Sequence, residues 1–198
     1  EGKYVIYQVD SAVYFSLGAD TVYKYLIKEI MADSFTDNEG KPAIRLERYV
    51  KRYNPLKSYD SSPWIMKEVF MVNADLKSVQ VSERDIRYSK LAFPIQENST
   101  WNGNAYNTLG DWQYSYKYID KKETMNGHAL DKVLYVEQKN FYTLISYEKY
   151  VEKYAKGVGL VYREIIDVRS PVITSDSTQN RISEGVVYRQ TLISYGYQ

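Results

Sequence analysis

From residue 158 to residue 168 apolar and polar side chains alternate. Val158, Leu160, Tyr162, Glu164, Ile166 and Val168 fall on one side of an extended chain, and Gly159, Val161, Arg163, Ile165 and Asp167 on the other. A period of two, carried by β-branched and aromatic residues, predicts a half-buried strand. Gly157 and Gly159 stand at its start. Without a Cβ they can take positive φ or admit a neighbouring backbone, so both are assigned a structural role in a bend. The run before the bend has two readings. Tyr147, Tyr150, Val151 and Tyr154 have helical spacing. A strand would instead put Glu148, Tyr150, Glu152 and Tyr154 on one side and Tyr147, Lys149, Val151 and Lys153 on the other. Tyr and Val are poor helix formers and no capping box opens the segment, which favours the strand.

The same alternation recurs along the chain. Residues 4–15 predict a strand, residues 16–20 with Gly18 a turn, and residues 21–31 a second strand. Asp37-Asn38-Glu39-Gly40 with Pro42 reads as a turn. Ile44, Leu46, Arg48 and Val50 then alternate with Arg45, Glu47 and Tyr49. Residues 53–63, with Asn54-Pro55 and Ser61-Ser62-Pro63, predict a loop. Residues 64–72 are apolar except for Lys67 and Glu68, which predicts a central strand buried on most of both faces. A turn at residues 73–75 and strand segments at 76–81 and 82–93 follow, ended by Pro94. Residues 97–110 form the longest polar stretch and read as a surface loop carrying Trp101 and Tyr106. Trp112, Tyr114, Tyr116 and Tyr118 make one aromatic strand face, Asn126-Gly127 marks a hairpin, and residues 130–136 form its second strand. A polar loop at 170–183 and a last strand at 186–195 close the chain.

About ten strands with at most one short helix predict a mainly β fold, an antiparallel curved sheet closing as a barrel, half-barrel or sandwich. Residues 1–198 read as a single β-rich domain. A strand, glycine-turn, strand pattern in each part leaves open two similar halves, about 1–93 and 94–198.

Composition narrows the partners. The 198 residues hold 26 Lys and Arg against 25 Asp and Glu, a net charge of +1. That balance argues against nucleic acid, whose phosphates call for a clear basic excess. With no cysteine, disulfides and thiolate chemistry are excluded. The 22 tyrosines suit strands with one wet face, where the ring packs and the hydroxyl stays hydrated.

Candidate chemistry is sparse. His128 is the only histidine and follows the Asn126-Gly127 turn, where it is expected to be solvated. No G-x-S-x-G elbow supports a catalytic triad, and no phosphate-binding glycine motif is present. Glu47, Glu68, Glu137, Glu148, Glu152 and Glu164 are strand carboxylates, and a hydrolase needs only two. Most have basic neighbours, which fits cross-strand pairing on a sheet. Asp33, Asp37, Asn38 and Glu39 could crowd a cation but lack EF-hand spacing. No metal or other cofactor is implied.

Residues 154–164, Tyr-Ala-Lys-Gly-Val-Gly-Leu-Val-Tyr-Arg-Glu, resemble a motif of uncharacterised Bacteroidetes envelope lipoproteins. Residues 4–11, Phe93-Pro94-Ile95 leading to residues 100–104, and residues 193–196 are similar to other segments of that family. The resemblance implies a protein exported to the cell envelope, in the periplasm or at the outer membrane. It would be held by a lipid anchor upstream of Glu1, with the signal peptide removed, and no activity is implied. Asp10-Ser11-Ala12, Asp20-Thr21-Val22 and Asp176-Ser177-Thr178 look like the short O-glycosylation motif of such proteins.

These readings lead to a non-catalytic envelope lipoprotein domain that acts as a binding or scaffold module. A carrier holding a lipid or other apolar ligand in a β-cavity is the alternative, and a carboxylate-based hydrolase the third. The ligand could be a carbohydrate, a peptide or a lipid. For a sugar or peptide, Trp101, Tyr106, Trp112, Tyr114 and Tyr116 are the expected ligand-binding residues, because aromatic area with hydroxyls at its rim suits stacking. The competing expectation is that Trp101 plugs the end of the sheet and the aromatic face is core.

Overall fold

Among its described residues the computed structural model contains twelve strands: β1 (Lys3–Tyr14), β2 (Thr21–Thr36), β3 (Pro42–Arg52), β4 (Ile65–Ala74), β5 (Ser78–Glu83), β6 (Ile86–Ala92), β7 (Thr100–Asn102), β8 (Gln113–Met125), β9 (His128–Tyr142), β10 (Ser146–Ala155), β11 (Gly159–Arg169) and β12 (Glu184–Tyr197). It describes all residues except 18, 19, 55, 57, 58, 172 and 174–176, and the side chains of residues 60 and 179. The expected turn at Gly18, the Pro55 part of the 53–63 loop and Asp176 of the third glycosylation-like motif therefore lie outside the described residues. Ser11, in the first such motif, is buried within β1.

All twelve strands belong to one antiparallel sheet in which chain neighbours pair, except β6 and β7, and β12 also pairs with β1. The two ends of the chain thus lie side by side in mid-sheet, and β6 and β7 are left as edges. Unpaired edges expose backbone donors and acceptors, and curling the sheet brings these two together. The Ser89 amide donates to the Gly103 carbonyl at 2.8 Å. The Trp101 indole donates to the Ser89 carbonyl at 2.9 Å. The Tyr116 hydroxyl accepts from the Ala92 amide at 2.9 Å and donates to its carbonyl at 2.8 Å. The sheet is thereby nearly closed into a barrel, and six consecutive strands lie on each side of the seam.

Two strands exceed the expected ten. Residues 82–93 hold a hairpin rather than one strand, turning at Arg84 and Asp85 with φ of 49° and 65°. Such a turn needs positive φ at both central residues and usually advertises itself with Asn or Gly, which are absent here. The 97–110 stretch contains β7, so it is not wholly loop. The turn expected at 73–75 comes later, where the Asp75 carboxylate accepts from the Lys77 and Ser78 amides, both at 2.7 Å. β4 is not buried on both faces: Ile65, Met66 and Val69 are exposed while Phe70 is buried. A barrel wall has one inner face, and apolar side chains on its outside do not change that.

Residues 147–154 are strand, paired on both sides by β9 and β11. Gly157 and Gly159 take φ of 77° and 105°, and nothing lies within 4 Å of where a Cβ would stand. Their requirement is conformational, not one of close approach. The β8–β9 turn folds back on β12: the Asn126 amide donates to the Leu192 carbonyl at 2.7 Å, and a His128 ring nitrogen lies 3.0 Å from the Ile193 carbonyl. His128 is half-buried against Tyr195 instead of being a free turn residue. This fold-back encloses Met125, Leu130, Val133, Ala155, Val158, Val161 and Leu192, which continue into Val5, Tyr7, Val9 and Ile27.

Candidate functional site

The strand register puts Tyr116, Val136, Glu152, Arg163, Gln190, Val9 and Tyr25 in one continuous cross-strand row, all on the same sheet face. A second row holds Val5, Glu29, Arg48 and Glu68. Between Tyr162 and Leu160 the pairing with β10 slips by one, leaving Val161 as a β-bulge. The extra residue lets Leu160 and Arg163 both face the lumen, although strict alternation separates them.

These rows carry two ionic groups inside the barrel. In the first, Arg48 donates to Glu29 from Nε at 2.9 Å and Nη2 at 2.5 Å, and lies 3.4 Å from Glu68. Its guanidinium also stacks 4.4 Å from the centre of the Phe70 ring. Arg84 takes the other Glu68 oxygen at 2.6 Å. The second group spans the lumen from β5 and β6 to β10 and β11. Lys90 stands 3.3 Å from both Glu83 and Glu152, and Arg163 stands 2.8 Å from Glu152 and 3.5 Å from Glu83. The Tyr154 hydroxyl donates to Glu152 at 2.6 Å, and the Tyr7 hydroxyl donates to the Leu160 carbonyl at 3.0 Å.

Burial alone would push the Glu152 carboxyl upward, but Lys90 and Arg163 outweigh it and hold its pKa down to about 2. Glu83 is likewise held below its usual value against its burial by the same two cations. Burial and the neighbouring Glu29 raise the Tyr7 phenol, and burial and Glu152 raise that of Tyr154. Both tyrosines therefore stay neutral donors.

Arg48 and Arg163 form a partition with a chamber on each side. One, of about 260 Å³, lies toward the end of the barrel that holds Lys3 and the 156–158 turn. Its walls are mainly apolar: Val5, Met31, Leu46, Phe70, Val72, Val79, Val81, Leu91, Val158 and Leu160, with Tyr7 and Tyr154. Met31, Leu46, Val72, Val79 and Leu91 are only half-buried, so the space beside them is accessible. The other chamber, about 370 Å³, is more polar and is lined by Tyr25, Ile27, Val50, Lys67, Glu68, Arg84, Ile165 and Tyr188.

The five aromatic residues singled out from the sequence line neither chamber, although Tyr116 stands at the end of the first row. Tyr114 and Tyr116 are fully buried. Trp101 is half-buried, 4.5 Å from the Tyr116 ring, with its indole tied across the seam. Trp112 is half-buried too and donates to the Gln138 carbonyl at 2.6 Å. Only Tyr106 is exposed, at 43%. The set forms a seam and core cluster, not an open stacking platform. The acidic turn is met by protein partners: Asp37 accepts from the Glu39 and Lys41 amides and from Asn73, Arg87 pairs with Glu39 at 2.8 Å, and Asp33 pairs with Arg45. Among the described residues no group of three His, Cys, Asp or Glu side chains is placed to hold a metal.

The lumen residues are partly legible in the sequence. Glu29 lies between Ile27 and Met31, Arg48 between Leu46 and Val50, and Arg163 between Val161 and Ile165. A charge at the centre of an apolar alternating face has to meet an opposite charge inside, and that was the signal to follow. Fold and site together define a nearly closed antiparallel barrel with an ion-paired partition and an apolar chamber. No family model, curated protein or solved structure matches the chain.

Proposed function

We propose that this chain is a non-catalytic ligand-binding protein, a carrier or receptor that takes a small apolar or amphipathic molecule into the barrel. The observation that carries this reading is the accessible apolar chamber of about 260 Å³ inside the sheet. A scaffold has no need of an unfilled interior, because empty apolar space costs stability. A chamber this size is just under the ~300 Å³ at which pockets for drug-sized ligands begin, so the ligand is small or only partly enclosed.

The hydrolase reading is weaker for an electrostatic reason. Glu83 and Glu152 share the same two cations, so two carboxylates do stand close together at a cavity floor. A glycosidase needs one carboxyl with a raised pKa to act as acid. Here Lys90 and Arg163 lower both. The aromatic seam cluster favours a sugar platform less, since four of its five rings are buried or half-buried. An exported protein, as the resemblance of residues 154–164 implies, would meet amphiphiles in the cell envelope.

The test is saturable binding of the neutral probe N-phenylnaphthylamine, followed by its fluorescence. The unaltered protein should give a blue-shifted, one-to-one signal. Val72→Trp, which fills the chamber from β4, should weaken binding about ten-fold or more while leaving the circular dichroism spectrum unchanged. No binding to the unaltered protein, or equal binding by a folded Val72→Trp, refutes the proposal.

A further inference from the structure

We infer that the ligand is a single-chain amphiphile with an anionic head, its chain in the apolar chamber and its head held at the chamber's mouth by Lys3. The inference rests on the lumen being the ligand site and adds the ligand's chemical class and direction of entry.

The floor of the chamber does not call for an ion. Arg48 is met there by Glu29 and Glu68, and Lys90 and Arg163 by Glu83 and Glu152, so each cation already has carboxylate partners. An ionic head pushed against this floor would lose its hydration and unbalance charges that are already matched, with only the unbonded Arg163 Nε left to meet it among the described residues. The mouth is different. Lys3 lines the chamber, and its ammonium donates to the Gly157 carbonyl of the β10–β11 turn. Among the described residues no carboxylate lies within ion-pair distance of it. Burial there draws the Lys3 ammonium below its usual pKa, the sign of a charge that has lost water without gaining a counter-ion. An anionic group beside it would restore the balance and stay close to solvent.

Size sets the chain. At about 30 Å³ for a water-sized group, 260 Å³ holds roughly nine methylenes, which is one medium-length chain and not a two-chain lipid. Each methylene added up to that length should tighten binding about four-fold, and further ones should add little.

The experiment displaces N-phenylnaphthylamine from the unaltered protein with nonanoate, nonanol, nonyl sulfate and nonyltrimethylammonium, and repeats the series on Lys3→Gln. Lys3 lies at the barrel rim, so the substitution leaves the core untouched. Nonanoate and nonyl sulfate should bind about two- to five-fold tighter than nonanol, and the cation more weakly than nonanol. In Lys3→Gln the anions should fall to the level of nonanol, with nonanol itself unchanged. A tighter sulfate than carboxylate would point to a sulfate- or phosphate-headed lipid as the source, and the reverse to a free fatty acid. Nonanol or the cation binding as well as the anions, or an anion preference that survives Lys3→Gln, overturns the inference and leaves the lumen reading standing. Failure of the probe to bind at all removes the lumen reading with it.

Discussion

Glu152→Gln tests the ionic partition directly. Glu152 is 2% exposed, and its carboxylate meets Lys90, Arg163 and the Tyr154 hydroxyl. The substitution keeps the shape and one acceptor oxygen but removes the charge. Lys90 and Arg163 are then left with Glu83 alone, two buried cations against one carboxylate. Breaking one side of a buried ion pair costs about 3–5 kcal/mol, a large share of the 5–15 kcal/mol typical of a whole domain. For a chain of this length that corresponds to a fall of roughly 6–20 °C in melting temperature. Urea unfolding followed by tryptophan fluorescence gives the free energy. The double variant Glu152→Gln/Lys90→Met restores one cation to one carboxylate and should recover at least part of the loss. Acid provides a second check. The folded pKa of Glu152 lies near 2, below its unfolded value of about 4.3. Its contribution is therefore complete above the unfolded value and disappears as pH falls toward 2. In Glu152→Gln the loss of stability between about pH 5 and pH 2 should be shallower. A single variant within about 1 kcal/mol of the unaltered protein, or a double variant worse than the single, would refute the electrostatic account.

Two further outcomes are expected beside the binding tests. Gly185, at φ 123°, has the Asp167 carbonyl oxygen 2.1 Å and the Val168 Cα 2.7 Å from where a Cβ would stand. Gly185→Ala should therefore cost roughly 2–6 kcal/mol from strain and clash together, whereas Gly157→Ala, with open space around it, should cost only the ~1–2 kcal/mol of left-handed backbone; urea midpoints decide, and equal losses would contradict the distinction. Tyr116→Phe removes the hydroxyl that bonds both backbone groups of Ala92 across the seam. It should cost about 1–3 kcal/mol and speed hydrogen exchange at the Ser89 and Ala92 amides, and unchanged exchange there would mean that the seam does not depend on this side chain.

Strand identity was local information and could be read directly. The strand at 159–169, the Gly157–Gly159 bend and the Asn126-Gly127 hairpin each depend on residues within a few positions of one another, and each is where the pattern put it, although the strand's two faces exchange at Val161. The Arg84-Asp85 hairpin is hidden because no Asn or Gly marks its turn and Arg84 is not a residue that takes positive φ readily. Burial of β4 is not legible in the sequence because apolar composition does not say how many faces are covered. The site followed the same division. A charge inside an apolar alternation marks Glu29, Arg48 and Arg163 as needing partners, and that much is one-dimensional. The partners themselves come from 62 and 80 residues away, as in Lys90 with Glu152 and Arg163 with Glu83. No spacing rule relates such positions, since the pairs exist only once the sheet has curled and β6 has met β7. The Val161 bulge, which turns Leu160 and Arg163 to the same side, arises from pairing with β10 and not from residues 159–169 alone. Whether the interior is filled or hollow depends on how far apart the walls stand, and the barrel's curvature sets that distance.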